Sequence, residues 1–105
     1  QRNRPIKMED VDARIHNYER SVRRLKRLME TDNVTERRVR EVDRTVSRAF
    51  EALLNHDLET SEGMLERVDY LLKLIRATHP SDTLLQRMVD TVWKDIVLLQ
   101  ARRHH

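Results

Sequence analysis

The chain has 105 residues, 37% of them charged and only 4% aromatic, with one Gly, two Pro, no Cys and a net charge of +3. That length suits one small domain, and so few Gly and Pro exclude sandwiches, barrels and other folds built on tight turns. Without Cys there is no disulfide scaffold or thiolate zinc module, which fits a reducing compartment, and no apolar run outlasts Ile96–Leu99, so no membrane span or signal peptide is read.

Met8, Val11, Ile15, Tyr18, Val22, Leu25 and Met29 follow one another at alternating steps of three and four, which predicts a first helix with one apolar stripe. Glu9 and Asp10 near its start and Arg23, Arg24, Lys26 and Arg27 near its end suit the helix dipole. The helix is expected to stop around Glu30–Asp32. Asn33-Val34-Thr35-Glu36 then reads as a capping box with Asn33 as the N-cap. A second helix carries Val39, Val42, Val46, Ala49, Phe50, Leu53 and Leu54 on one face and ends in Asn55-His56-Asp57.

Thr60, Ser61 and Gly63 are weak helix formers, so a short connecting helix is expected near 58–64, continuous or not with the next. Leu65, Val68, Leu71, Leu72 and Ile75 predict the third long helix. Thr78-His79-Pro80-Ser81 breaks it, because the residue before Pro is driven out of the helical region. The last helix runs from about Ser81 with Leu85, Val89, Val92, Ile96 and Leu99 inward. The expected fold is all-α: a compact antiparallel bundle of four long helices, with a fifth if the connector forms. Its expected limits are a flexible segment at 1–9, a single domain over 10–100 and a tail at 101–105. The start at Gln1 reads as a domain excised from a longer protein, and His104–His105 as the stub of a purification tag.

Catalysis finds little support. There is no Cys, no Gly-x-Ser-x-Gly elbow and no glycine-rich phosphate loop. Bundle metal sites use Glu-x-x-His steps, which this chain lacks; Asp12 and His16 are i,i+4 neighbours but lie beside the apolar stripe, and read as a solvated pair. No cofactor, metal or small-molecule substrate is expected. His56 and His79 fall in connections. Tyr18, Phe50, Tyr70 and Trp93 are all expected in the core, where aromatic burial contributes most.

Charge is divided unevenly. Residues 1–48 hold fourteen basic and nine acidic groups, and residues 49–105 hold seven and nine. Arg20, Arg23, Arg24 and Arg27 line one side of the first helix, and Arg37, Arg40, Arg44 and Arg48 one side of the second. Such stripes hold phosphate backbones by counterion release. Interleaved Glu19, Glu30, Glu36, Glu41 and Asp43 make solvated faces with intrahelical ion pairs the commoner account. Between the two lies a basic face that receives acidic peptide segments.

Several fragments carry a family resemblance. Leu72-Lys73-Leu74-Ile75-Arg76, the break at Thr78–Ser81, Trp93-Lys94-Asp95-Ile96-Val97, Val11-Asp12-Ala13-Arg14-Ile15 and the turn Thr31-Asp32-Asn33-Val34 resemble the helical domain at the N-terminus of elongation factor TFIIS. Within that group they resemble most the integrase-binding domain of the lens epithelium-derived and hepatoma-derived growth factor family. The resemblance spans roughly residues 10 to 99 and implies a nuclear scaffold, without enzymatic activity, that captures short disordered motifs, acidic with aromatic anchors, in transcription and chromatin proteins. It places the family's recognition Asp on Asp32 with Thr31 before it, the second-loop contacts near Thr78 and Pro80, and flanking basic groups on Lys73 and Arg76. Thr31 and Thr78 depart from the apolar residues of the family, and the first connection is longer, which counts against viral integrase as a ligand.

The expected partner site is therefore the pair of loops at 30–33 and 77–81 sharing one end of the bundle. Asp32, released from capping by Asn33, would accept N–H groups of an extended peptide, with Met29, Val34 and His79 walling a small pocket beside it. Two other readings are weaker. Ala52–Glu59 resembles the first hairpin of PhoU-type phosphate-signalling bundles, but no acidic residue here has Asp four positions later to form that family's metal step. A helical enzyme of the chorismate mutase kind would need Arg and Lys on the core stripes, which are apolar.

Overall fold

The structure is a computed structural model and describes residues 11–103. It is all-helical, with four helices: α1 (Val11–Met29), α2 (Glu36–Asn55), α3 (Ser61–Ala77) and α4 (Asp82–Arg103). The expected segment at 1–9, Met8 on the first stripe, Glu9 and Asp10 at the start of the first helix, and His104–His105 all lie outside the described residues. Asp12–His56 form one compact unit, and the chain from Asp57 onward belongs to a second.

In the first unit, α1 carries Asp12 in its first turn and Lys26 and Arg27 in its last, as the dipole favours. Backbone N–H groups of Glu30 and Thr31 close its end on the carbonyls of Lys26, Arg27 and Leu28, at 3.1–3.2 Å. The chain then turns through Asn33, held in the left-handed region at φ 64. Asn tolerates that region better than most residues. The capping expectation is corrected here: Thr35, not Asn33, is the N-cap of α2. Thr35 is extended, as a cap must be, and its hydroxyl accepts from the Arg38 N–H at 3.1 Å. Along α2, Val42, Phe50, Leu53 and Leu54 are buried and Val39, Val46 and Ala49 half-buried, the face the spacing predicts. Phe50 meets Tyr18 of α1 with ring centroids 5.2 Å apart and planes tilted by 40°, a geometry worth about 0.5–1.5 kcal/mol beyond area burial.

In the second unit, no separate helix forms near 58–64. Asp57–Glu59 are non-helical, Thr60 caps α3 through the Gly63 N–H at 2.9 Å, and Ser61–Met64 are the first turn of α3 itself. Leu58 tucks inward beside that start. The break at Thr78–Ser81 falls where Pro80 puts it, and Ser81 Oγ accepts from the Leu84 N–H at 3.3 Å to open α4. Helices α3 and α4 pack on each other.

The faces they bury are turned partway from the expected stripes, of which Leu71 and Val92 are buried and Val68, Ile75, Leu85, Ile96 and Leu99 half-buried. α3 buries Gly63, Met64, Arg67 and Leu71, and α4 buries Met88, Thr91, Val92 and Asp95. Leu65 and Leu72 are 57% and 47% exposed, and Val89 and Trp93 46% and 66% exposed, so these four leave the core assigned to them. Arg67 and Asp95 lie on those inner faces and face each other. Arg67 Nε and Nη2 donate to Asp95 Oδ2 and Oδ1, each at 2.8 Å, and both side chains are 1% exposed. Both helices have apolar residues around much of their circumference, so hydrophobicity alone does not fix their rotation. Enclosing this pair does.

Candidate functional site

The Met29–Val34 loop belongs to the first unit and Lys73–Pro80 to the second. In the first loop Met29 is 64% exposed, Thr31, Asp32 and Asn33 are exposed and Val34 is half-buried. Thr31 turns its hydroxyl back onto the Arg27 carbonyl at 2.9 Å. Asn33 is occupied by the turn rather than the cap, yet Asp32 is still not the residue that caps α2. In the second loop Thr78 does what Thr31 does: its hydroxyl donates to the Leu74 carbonyl at 2.8 Å, and its N–H reaches the same oxygen. His79 is exposed and Pro80 half-buried. Lys73 and Arg76 line one shallow recess with Ala77, and Lys73 pairs with Asp69 at 2.9 Å.

The two arginine stripes resolve into distinct parts. On α2, Arg40 pairs with Glu36 at 3.0 Å and Arg38 with Glu41 at 3.4 Å, both pairs well exposed. Such pairs contribute only about 0.3–0.5 kcal/mol each. Arg20 and Arg24 of α1 and Arg48 of α2 have a different setting. They border a groove of about 430 Å³ between the two helices, lined also by Asn17, Ser21, Thr45 and Ala49. Ser21 and Ala49 are half-buried and small, so the helices leave space between them, while the longer arginines stand exposed at the edge.

The chemistry of this groove is one-sided. Ser21 Oγ donates to the Asn17 carbonyl at 2.8 Å and Thr45 Oγ1 to the Glu41 carbonyl at 3.2 Å, so both hydroxyl protons are committed to backbone. No carboxylate lines the groove. Three guanidiniums, each with five N–H donors and no acceptor, make it a receptor for acceptor-rich anionic groups. The i,i+4 spacing of Arg20 and Arg24 was visible in the sequence; that Arg48 meets them across Ser21 and Ala49 depends on how two helices pair.

A second groove, of about 510 Å³, lies between α3 and α4, where Leu65, Ile96 and Leu99 supply apolar walls and Arg102 and Arg103 two cations. The aromatics divide three ways. Phe50 is buried, Tyr18 and Tyr70 are half-buried, and Trp93 projects into solvent. Burial pushes the Tyr18 phenol above its ordinary pKa. Asp12 and His16 are both exposed, and among the described residues no group of three or more His, Cys, Asp or Glu could hold a metal ion. Among them, too, no helix is long and apolar enough to cross a membrane. Compared with known proteins, the chain matches no family model, no curated protein and no solved structure.

Proposed function

We propose that this chain is a non-catalytic interaction module, an antiparallel four-helix bundle that docks short acidic segments of partner proteins. The observation that carries the reading is the groove bordered by Arg20, Arg24 and Arg48, where no carboxylate answers three guanidiniums. Glu and Asp side chains match the guanidinium fork two oxygens to two donors. Arginine planes also accept aromatic rings, and the apolar walls of the α3–α4 groove beside Arg102 and Arg103 offer the same combination. The resemblance to the integrase-binding domain supports a nuclear setting and transcription or chromatin partners, with Asp32, Lys73 and Arg76 as further contacts. Duplex nucleic acid is the less suited anion. No aromatic residue lines the arginine groove to stack on a base, and the back half of the chain has two more acidic than basic groups.

The test is a titration with a fluorescent Glu/Asp-rich peptide carrying one Phe, beside a DNA duplex of equal charge, at physiological salt. The peptide should bind more tightly than the duplex. The double variant Arg24→Gln/Arg48→Gln should weaken peptide binding by about tenfold or more, equivalent to about 1.4 kcal/mol, with helix content unchanged. Equal binding by parent and variant removes the groove from the mechanism, and tighter duplex binding replaces the peptide reading with a nucleic-acid one.

A further inference from the structure

A surface on α4 points to a second macromolecule by a separate route. Val89, Trp93 and Val97 recur every four residues and are 46%, 66% and 44% exposed. With 3.6 residues per turn such positions form a continuous strip. A tryptophan left two-thirds exposed in the middle of a 22-residue helix keeps a large, mostly apolar ring in water. The helix is apolar on its inner face as well, where Met88 and Val92 are buried. A helix apolar on both sides is normally covered on both.

The charges beside the strip identify what covers it. Asp90 and Lys94, four residues apart, lie along one edge, and both are exposed. The other edge, beside the strip, has Ile96 and Gln100 and no charge before Arg103 at the end of the helix. Asp90 accepts from Gln86 Nε2 at 2.8 Å, and Lys94 stands 3.9 Å from a fully solvated Asp57, so neither is locked in a strong pair. When two copies of a helix meet head-to-tail about a two-fold axis, each edge faces the same edge of the other copy, reversed in direction. An edge reading acid then base is complementary to itself in that arrangement. Asp90 of one copy meets Lys94 of the other, twice, and the two Trp93 rings sit between the valines near the axis. Parallel pairing would set the charged edge against the uncharged one and leave both charges without partners.

We propose that α4 associates with α4 of a second copy of this chain, antiparallel and two-fold symmetric, through Val89, Trp93 and Val97, with Asp90 and Lys94 setting the direction. Such an interface is isologous. Its seam is a single helix, which places it among weak, reversible associations. It uses none of the residues that border the arginine groove, so the Arg24/Arg48 titration and the α4 association read separately, although Ile96 and Gln100 beside the strip also line the α3–α4 groove.

Trp93 is the chain's only tryptophan, so its emission reports on this face alone. The experiment is sedimentation equilibrium with parallel fluorescence on the full chain, from about 1 µM to 1 mM, the range that suits weak association. The expected result is a mass rising toward the dimer with a concentration-dependent blue shift of Trp93. Asp90→Lys and Lys94→Asp should each weaken association by about tenfold or more, or about 1.4 kcal/mol, and the double reversal Asp90→Lys/Lys94→Asp should restore it. A parent that stays monomeric throughout overturns the proposal. So does dimerisation indifferent to the single reversals, or a blue-shifted emission at monomer mass, which would mean that the chain covers Trp93 itself.

Discussion

Arg67 and Asp95 form a bidentate ion pair 28 positions apart in sequence, sealed between α3 and α4 with 1% of either side chain exposed. Taking two charges out of water carries a desolvation penalty of several kcal/mol per ion, which attraction recovers only with good geometry. Two parallel 2.8 Å bonds are that geometry. The pair therefore acts less as a source of net stability than as a constraint. Any rotation of either helix that brought Leu65, Leu72 or Trp93 inward would break both bonds and strand two charges.

Breaking it from one side should be severe. Arg67→Met leaves Asp95 buried without its guanidinium and should lower stability by about 3–5 kcal/mol. Arg67→Met/Asp95→Leu removes both charges and should recover most of that loss, ending near the parent or above it. Urea unfolding of the parent, the single and the double variant measures the coupling. Losses that simply add would mean that the two residues contribute independently.

That pair also explains where sequence reasoning succeeded and failed. The face of α2 was legible because its apolar residues occupy one side only, with Arg37, Arg40, Arg44 and Arg48 opposite. Helix ends at Asn55 and Ala77 were legible because turn formers and Pro80 act locally. The rotation of α3 and α4 was not, because Leu65, Leu72, Val89 and Trp93 offered an apolar stripe as good as the one used. The inward residues that decide between the stripes, Arg67 and Asp95, are charged, and their partnership is visible only once the two helices are paired. The arginine groove follows the same rule: each stripe is local, but the facing of Arg20, Arg24 and Arg48 is tertiary.

The loop after α1 makes a prediction about backbone. Asn33 at φ 64 and Thr35 as the N-cap divide two tasks that one residue cannot perform together. Thr35→Ala should lose about 1 kcal/mol through the orphaned Arg38 N–H. Asn33→Val should lose about 1–2 kcal/mol, since a β-branched residue is poorly suited to the left-handed region, whereas Asn33→Gly should be tolerated. Thermal melts of the three variants separate the roles. A destabilising Asn33→Gly, with Thr35→Ala neutral, would return the cap to Asn33.

Tyr18 gives a pH dependence with a defined sign. Its burial raises the phenol's pKa above the usual value near 10. The unfolded chain therefore loses this proton first. The contribution is intact below the unfolded pKa and declines as pH climbs from there through the raised folded pKa. Tyr18→Phe keeps the ring against Phe50 and removes the ionisation. Melting temperatures between about pH 8 and 11, the span around an ordinary tyrosine pKa, should fall more steeply for the parent than for the variant. Parallel curves would mean that Tyr18 ionises equally in both states.

The exposure of Trp93 and the burial of Phe50 are best compared as a pair of truncations. Both are large aromatics within an apolar stretch of sequence, and by hydrophobicity alone both belong inside. The structure leaves Trp93 66% exposed and Phe50 8%. Phe50→Ala opens a cavity where Tyr18 packed and should lose about 3–5 kcal/mol. Trp93→Ala removes a ring that the isolated chain does not enclose, so in dilute solution it should change stability by no more than about 0.5 kcal/mol. Dilution matters, because any association through Trp93 adds stability that depends on protein concentration. Denaturant unfolding of both variants at low concentration, followed by far-UV circular dichroism so that loss of the tryptophan does not blind the measurement, makes the comparison direct. A large loss from Trp93→Ala under those conditions would place the ring in the core, nearly half a turn around α4 from the face that Asp95 occupies.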